Sequence, residues 1–154
     1  MNNNLSSKII IDLDAFLQQH ERKKQTIVFT NGCFDLLHEG HLYLLKAAKK
    51  LGDILIVAVN DDASVKRLKG ITRPIESIEL RMQKLANLEI VDYVIPFEED
   101  TPLLLIEKIK PNVLVKGGDY KKEEIVGNKI ALQTVIIPLL EGFSSTKIIE
   151  QNNP

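Results

Sequence analysis

The feature that most constrains the fold is a run of six apolar residues, Ile54-Leu55-Ile56-Val57-Ala58-Val59. Most of its side chains are β-branched, which favours a strand. No member of the run is polar, so neither face of this strand is expected to meet water. Strands that are buried on both faces occur mainly in parallel sheets with helices on each side. The run therefore predicts an α/β protein with a central parallel sheet.

Apolar runs and amphipathic segments alternate along most of the chain, which is the pattern of βαβ units. Four further strands are expected near 27–29, 93–95, 113–115 and 135–137, with the strand at 93–95 ended by Pro96. Helices are expected near 42–51, 62–68, 77–88 and 144–150, and one more begins with Thr101 as N-cap and Pro102 in its first turn. The predicted fold is a doubly wound, parallel sheet of five strands.

The first 25 residues are expected to form a helical extension, followed by the main domain at residues 26–154. Within residues 9–24, Leu13, Phe16 and Leu17 recur at helical spacing before a polar end. This spacing predicts a helix that packs onto the main domain.

Composition limits the partners and the compartment. The 154 residues are 44% hydrophobic and 27% charged, and the net charge is -1. No basic field attracts nucleic acid or an anionic membrane, so neither is expected as a partner and any anion must be bound locally. The single cysteine, Cys33, excludes an intramolecular disulfide. No apolar run approaches the roughly 20 residues that span a bilayer, and no signal sequence is evident, so a cytoplasmic location is expected.

Two of the three histidines lie in the segment His38-Glu39-Gly40-His41, directly after the first predicted strand. If a helix begins near Glu39, both imidazoles lie at its first turn, where free N–H groups and the helix dipole favour an anion. Gly40 leaves room for a phosphate to approach the backbone. Two alternatives stay open from the residues alone. The pair could be half of a zinc site, although no further ligand cluster is evident, or one histidine could simply cap the helix.

A basic segment, Lys66 to Arg73, follows the second strand and holds four cations in eight residues. Ligands of parallel sheets bind at the carboxyl ends of the strands, so phosphate contact is expected here rather than a solvated helix end. Lys69 is the first candidate for that contact and Lys66 the second. The planar guanidinium of Arg73 better suits a forked contact with phosphate or with hydroxyls.

Two more polar segments follow the fourth and fifth strands. After the fourth, Gly117 and Gly118 leave room for a ligand to approach the backbone, and Asp119 can accept hydrogen bonds from hydroxyls; a simple turn is the alternative. After the fifth, Ser144 and Ser145 precede the last predicted helix, and a simple N-cap is the alternative there. Neither a P-loop nor a Gly-x-Gly-x-x-Gly motif is present.

The pattern Gly-x-Phe-Asp-x-x-His-x-Gly-His, at residues 32–41, resembles the signature of the cytidylyltransferase-like superfamily of nucleotidyltransferases. The resemblance extends over about 26–150 and implies a Rossmann-like fold of the His-x-Gly-His type. It implies transfer of a nucleotidyl group from a nucleoside triphosphate to a phosphate oxygen, with release of pyrophosphate. Lys147 stands where the superfamily often has arginine, which keeps the charge but loses the forked contact.

Within the superfamily, the segments 30–35, 68–75, 91–94 and 115–120 are most similar to those of D-glycero-β-D-manno-heptose 1-phosphate adenylyltransferases, which make ADP-heptose for bacterial surface glycans. In many such proteins this domain follows a sugar kinase, whereas the present residues are similar to the stand-alone form. Segment 127–134 is expected to be shorter than usual. The resemblance implies ATP and a sugar 1-phosphate as substrates, Mg²⁺ on the ATP phosphates, and a homodimer. Rival interpretations are a glycerol-3-phosphate cytidylyltransferase and a non-catalytic nucleotide-binding module.

The resemblance also implies roles for individual residues. Catalysis is assigned to His38, His41 and Lys69. Acceptor binding is assigned to Asp35, Lys66 and Arg73, and no protein ligand to a metal is expected. Nucleotide binding is assigned to Thr30, Asn31, Gly32, Cys33, Phe34, Gly40, Lys116, Gly117, Asp119, Ser144, Ser145 and Thr146.

Overall fold

The computed structural model describes residues 7–21 and 23–138. Their central feature is one parallel sheet of five strands in the order β3-β2-β1-β4-β5. The strands are β1 (Ile27–Gly32), β2 (Ile54–Asn60), β3 (Tyr93–Phe97), β4 (Val113–Gly117) and β5 (Gln133–Ile137). The helices are α1 (Leu13–His20), α2 (Glu39–Lys49), α3 (Asp62–Lys69), α4 (Ile78–Ala86) and α5 (Leu103–Ile109), with a 3-10 turn at Lys122–Glu124. The predicted Rossmann-like α/β fold is confirmed.

Strand β2 is buried along its whole length because helices cover both faces of the sheet. Its side chains alternate between two cores. Leu55, Val57 and Val59 pack with residues of α2 and α4. Ile54, Ile56 and Ala58 pack with residues of α1 and α5. The unbroken apolar run in the sequence is therefore explained by a strand that has no face toward water.

The strand order reverses between β1 and β4, which are neighbours although they are far apart in the chain. In their register Thr30 lies beside Val115, and the Thr30 hydroxyl donates to the Val115 carbonyl at 2.9 Å. The connections that leave these two strands diverge, and this is the point of a doubly wound sheet where ligands bind. The residues that follow β1 and β4 are therefore expected to line the ligand site.

The predicted boundaries of β3 and α5 are wrong. Strand β3 does not end at Pro96 but continues to Phe97, and Pro96 lies in register with Val59 of β2. Proline is tolerated there because β3 is the outermost strand, so its missing N–H removes no bond to a further strand. Helix α5 begins one residue later than predicted. Pro102 occupies the N-cap position, with the Thr101 hydroxyl 3.5 Å from the Leu103 amide.

The N-terminal helix is shorter than the predicted segment 9–24. Ile9 forms an isolated parallel bridge with Val94, and the Ile10 amide donates to the Val94 carbonyl at 2.8 Å, so this stretch extends the edge of the sheet. Asp12 then caps α1 through the Ala15 amide, and Phe16 is buried against the sheet. The domain boundary at residue 25 stays a prediction.

The predicted helix at 144–150 lies outside the described residues, as do Ser144, Ser145 and Thr146. Among the helices that the structure describes, none is long and apolar enough to cross a membrane.

Candidate active site

The two histidines of the His38–His41 segment cap the first turn of α2 reciprocally. His38 is the N-cap, and its Nδ1 accepts from the Gly40 amide at 3.0 Å. The Nδ1 of His41 accepts from the His38 amide at 3.2 Å. Because each Nδ1 accepts a hydrogen bond, the proton of each neutral ring is assigned to Nε2. The rings are stacked, with 3.8 Å between their centroids. The sequence left open that one histidine simply caps the helix. His38 does cap it, and the two hydrogen bonds also fix the tautomer of both rings.

Both imidazoles are held neutral. Burial lowers the pKa of His38 below its usual value. Burial, followed by the electrostatic effect of His38 and Lys69 on the protonated ring, lowers the pKa of His41 to about 3. A neutral imidazole with its proton on Nε2 donates a hydrogen bond to a phosphate oxygen. Within the described ranges, no three His, Cys, Asp or Glu side chains come together as a group that could hold a metal ion.

A small cavity of about 120 Å³ opens beside His41, at the carboxyl ends of β1 and β4. Its walls combine the backbone at the switch point of the sheet, where the strand order reverses between β1 and β4, with two lysine side chains. The other residues that line it are Asn31, Gly32, Cys33, Phe34, Leu44, Lys69, Lys116 and Gly117. A site with lysine ammonium groups, a neutral imidazole donor and a helix N-terminus is suited to a phosphate group.

A larger cavity of about 430 Å³ continues from the small one. The two cavities share Asn31, Gly32, Cys33, Lys69 and Lys116, so both lysines lie where the cavities meet. The remaining walls of the larger cavity come from the segments after β2, β3 and β4. They are Asn60, Leu68, Asp100, Thr101, Pro102, Tyr120, Glu124, Ile125 and Val126.

Lys116 is the more enclosed of the two lysines. Burial lowers its pKa, and its Nζ lies 5.7 Å from the centroid of the Tyr120 ring. Gly118 has a φ of +130°, and a Cβ there would lie 2.7 Å from the Tyr120 ring. Glycine at this position therefore permits both the turn after β4 and the place of the aromatic ring beside Lys116.

The connection between β1 and α2 has an unusual backbone. Phe34 and Leu36 have positive φ values of 51° and 55°, which are uncommon for residues other than glycine. Glu76 accepts from the Leu36 amide at 3.0 Å and also pairs with Lys84. The conformation is thus held by a segment that lies some forty residues later in the chain.

Asp35 is the centre of this support. Its Oδ2 accepts from the Arg73 guanidinium at 3.0 Å and from the Ile75 amide at 2.8 Å, and its Oδ1 accepts from the Glu76 amide at 3.0 Å. Burial would raise the pKa of the Asp35 carboxyl, but the two amides and Arg73 outweigh it and lower the pKa. The carboxylate therefore remains ionised inside the protein.

Asp35 and Arg73 line neither cavity, and the exposed fractions of their side chains are 0% and 9%. Direct contact with an acceptor stays a prediction for both, but their observed contacts make them supports of the loop. Lys66 and Asp119 are exposed and line neither cavity either. The structure does bring His41, Lys69, Lys116 and the 31–34 segment together around the switch point.

Arg81 is a supporting residue that sequence reasoning missed. Its side chain is fully buried, and its guanidinium donates to the carbonyls of Glu76 at 3.0 Å, Cys33 at 2.8 Å and Asn60 at 2.7 Å. It also pairs with the Asp62 carboxylate at 2.7 Å. One side chain thus joins the ends of β1 and β2 to the start of α3. In the sequence it is an ordinary charged residue on a predicted amphipathic helix.

The sequence reasoning also missed several polar residues of the larger cavity: Asn60, Asp100, Thr101 and Glu124. Some signal was present, because Asn60 ends β2 and the Asp100–Thr101 pair follows β3, at the same sheet edge as the histidines. Glu124 had no such signal, since it lies in a 3-10 turn well beyond the end of β4.

A parallel sheet that has a capped, neutral histidine pair and two lysines at its switch point is the arrangement of an α/β nucleotidyltransferase. The family model described as cytidylyltransferase-like matches residues 29–151, and the chain belongs to this family.

Comparison with individual proteins agrees with this assignment. The chain is 55% identical over 146 residues to the Bifunctional protein HldE of Helicobacter hepaticus, covering 95% of this chain and 30% of that protein. It is 59% identical over 132 residues to the Bifunctional protein HldE of Nitratiruptor sp., covering 86% of this chain and 28% of that protein. The chain therefore spans about a third of the length of these curated relatives.

A solved structure, that of the lipopolysaccharide core biosynthesis protein from Thermoplasma volcanium, is similar over almost all of its own length. The sequences are 30% identical, the TM-score is 0.66, and the match covers 76% of this chain and 99% of that one.

Proposed function

We propose that the chain transfers AMP from ATP to D-glycero-β-D-manno-heptose 1-phosphate and so forms ADP-heptose and pyrophosphate. The observation that carries the proposal is the capped histidine pair beside two lysines at the switch point of the sheet. The high identity to proteins named HldE, together with the name of the Thermoplasma relative, favours a sugar substrate of lipopolysaccharide synthesis. ATP as the donor fits a reaction in the cytoplasm.

In the proposed reaction, an oxygen of the acceptor's phosphate attacks the α-phosphorus of ATP in line, and pyrophosphate leaves from the opposite side. The acceptor phosphate is already ionised near pH 7, so no general base is needed. The chain contributes position and charge. The Nε2–H of His41 donates to a phosphate oxygen, while Lys69 and Lys116 neutralise negative charge where the two cavities meet.

We propose Mg²⁺ as the cofactor; it would be bound through the β- and γ-phosphates of ATP, beside His41, Lys69 and Lys116, and would neutralise part of the phosphate charge. Mg²⁺ keeps several water ligands and is commonly bound through substrate phosphates with few protein ligands. The described residues around His41 suit such a complex, because their donors are imidazole and ammonium groups rather than a cage of carboxylates.

The test is an assay of pyrophosphate release, with identification of the nucleotide sugar. ATP and CTP are each supplied with heptose 1-phosphate or with glycerol 3-phosphate. ADP-heptose from the first pair supports the proposal, whereas CDP-glycerol from the last pair supports the cytidylyltransferase alternative. Tight ATP binding without pyrophosphate release from any pair would indicate a non-catalytic nucleotide-binding module.

We also propose a homodimer, on the basis of the family resemblance. Sedimentation velocity at micromolar protein concentration measures the mass directly, and a single monomeric species would contradict this part.

A further inference from the structure

The larger cavity has opposite charges in two different parts of its wall. Lys69 and Lys116 lie where it meets the smaller cavity, whereas Asp100 and Glu124 line the larger cavity alone. The two carboxylates come from separate segments, one after β3 and the other in the 3-10 turn after β4. A ligand that matches this wall has an anionic group at one end and hydrogen-bond donors at the other.

We propose that Asp100 and Glu124 bind hydroxyl groups of the acceptor and thereby select a polyhydroxylated sugar phosphate over a smaller phosphate ester. This inference rests on the proposed function, because it places the acceptor in the larger cavity with its phosphate at the two lysines. The smaller cavity, beside His41, is then left for phosphate groups of the nucleotide.

The dimensions fit this division. The larger cavity, of about 430 Å³, lies within the range of small-molecule sites, whereas the smaller one, of about 120 Å³, is below it. The junction is lined by both lysines and by Gly32 and Cys33 of β1 and its connection. A phosphate of the acceptor at the junction is adjacent to a nucleotide phosphate beside His41, which is the neighbourhood that in-line transfer requires.

Both carboxylates are held in place. The Arg67 Nε donates to Asp100 Oδ1 at 2.8 Å, and Arg67 also bonds the Glu98 carbonyl, so the aspartate is fixed to its own loop. Glu124 Oε1 accepts from the Lys121 amide at 3.3 Å at the start of the 3-10 turn. A carboxylate has two oxygens with several lone pairs, so each group can keep its present bond and still accept from a hydroxyl.

The remaining wall of the larger cavity suits the apolar C–H faces of a sugar. Pro102, Ile125 and Val126 supply apolar surface for C–H groups, and the Tyr120 ring supplies an aromatic face. Sugar rings have apolar C–H faces and polar edges, so this mixture of walls matches them better than it matches a wholly anionic ligand. Glycerol 3-phosphate has only two hydroxyls and would leave most of the cavity unfilled.

The experiment measures steady-state kinetics of the full chain and of four alanine variants. Asp100→Ala and Glu124→Ala remove the two proposed contacts. Glu98→Ala and Glu123→Ala are matched controls, because these exposed glutamates lie in the same two segments but line neither the larger nor the smaller cavity. Each protein is assayed with ATP and a panel of heptose 1-phosphate, mannose 1-phosphate and glycerol 3-phosphate.

We expect Asp100→Ala and Glu124→Ala each to raise the KM for the sugar phosphate about tenfold to a hundredfold, as the loss of a hydrogen bond to a charged group predicts. The KM for ATP should stay within about twofold, and the preference for the sugar phosphate over glycerol 3-phosphate should fall. Both control variants should match the wild type. Unchanged KM values for the acceptor would overturn the inference, as would an equal rise in the controls. A rise in the KM for ATP instead would place the nucleoside in this cavity.

The panel separates this inference from the proposed function. If the wild type uses a sugar phosphate other than heptose 1-phosphate, the proposed function fails while the KM for that sugar still tests Asp100 and Glu124. If glycerol 3-phosphate is the best acceptor, or if no acceptor reacts, both fail.

Discussion

Asp35 and Arg73 form an ion pair inside the protein, with 3.0 Å between Oδ2 and Nε, although 37 residues separate them in the chain. The pair joins the β1–α2 connection to the segment that precedes α4. Because the first of these leads into the first turn of α2, where both histidines lie, the position of the catalytic candidates depends on a contact that lies outside both cavities.

Asp35→Asn should therefore destabilise the protein as well as slow it. The variant leaves the Arg73 charge buried without its carboxylate, and breaking a buried pair in this way costs about 3 kcal/mol. Urea unfolding measures the loss, with the exposed Asp14→Asn as a control that should change by less than about 0.5 kcal/mol. Adding Arg73→Met should recover part of the stability, because it also removes the buried charge that had lost the Asp35 carboxylate. A double variant that loses the full sum of the two single effects would contradict this account.

The contacts of Arg81 lead to a similar prediction of lost stability and activity, here through the ends of β1 and β2. Its guanidinium donates to the Cys33 and Asn60 carbonyls and pairs with Asp62, and one lysine ammonium cannot match that planar set. Arg81→Lys should lower the free energy of unfolding by about 2 to 4 kcal/mol and should reduce kcat/KM even for the folded fraction. Arg67→Lys, at an exposed arginine, is the stability control and should cost less than about 1 kcal/mol. Equal effects in the two variants would contradict the role given to Arg81.

Much of the fold is predictable because it depends on local patterns. The apolar run Ile54–Val59 indicates a strand buried on both faces, and the alternation around it indicates parallel topology. The predicted boundaries of secondary structure were wrong where contacts between residues distant in the chain determine the local structure. Pro96 continues a strand because β3 is at the edge of the sheet, and Ile9 joins that edge through Val94 instead of beginning a helix.

The candidate site also contains some residues that are evident in the sequence and others whose role only the structure shows. His38, His41, Lys69 and Lys116 are evident in the sequence because each lies in a short polar motif that ends or follows a predicted apolar strand. Arg81 is not evident, since its burial depends on the Cys33 and Asn60 carbonyls, which come from distant strand ends. Asp35 is present in the motif, but only the structure shows that its carboxylate faces the 73–76 segment rather than a cavity.

His41→Ala should lower kcat about a hundredfold or more while the protein still folds, because it removes a donor positioned for the phosphate. His20→Ala is the matched control. Its imidazole bonds the Phe16 carbonyl and the Tyr93 hydroxyl beneath α1 and lines neither cavity, so its kcat should stay near that of the wild type. Circular dichroism checks the fold of both variants. A His41→Ala protein with nearly normal turnover would remove His41 from the catalytic set.

The low pKa of His41 leads to a separate prediction about how the free energy of unfolding depends on pH. Its value of about 3 in the folded protein lies far below the usual value of 6.5. Between these values the unfolded chain binds more protons than the folded one, so the free energy of unfolding must fall as the pH falls. His41 alone should account for a loss of about 2 kcal/mol between pH 7 and pH 5.

Urea unfolding of the wild type and of His41→Gln at pH 7, 6 and 5 measures this loss, because glutamine does not titrate. The variant should show a smaller decline over that interval, with the remainder coming partly from His38, whose pKa is lowered in the same direction. Parallel curves for the two proteins would mean that His41 titrates normally in the folded state. Such a histidine would carry a charge below pH 6, and a neutral Nε2–H donor could not then be its form throughout the pH range of the reaction.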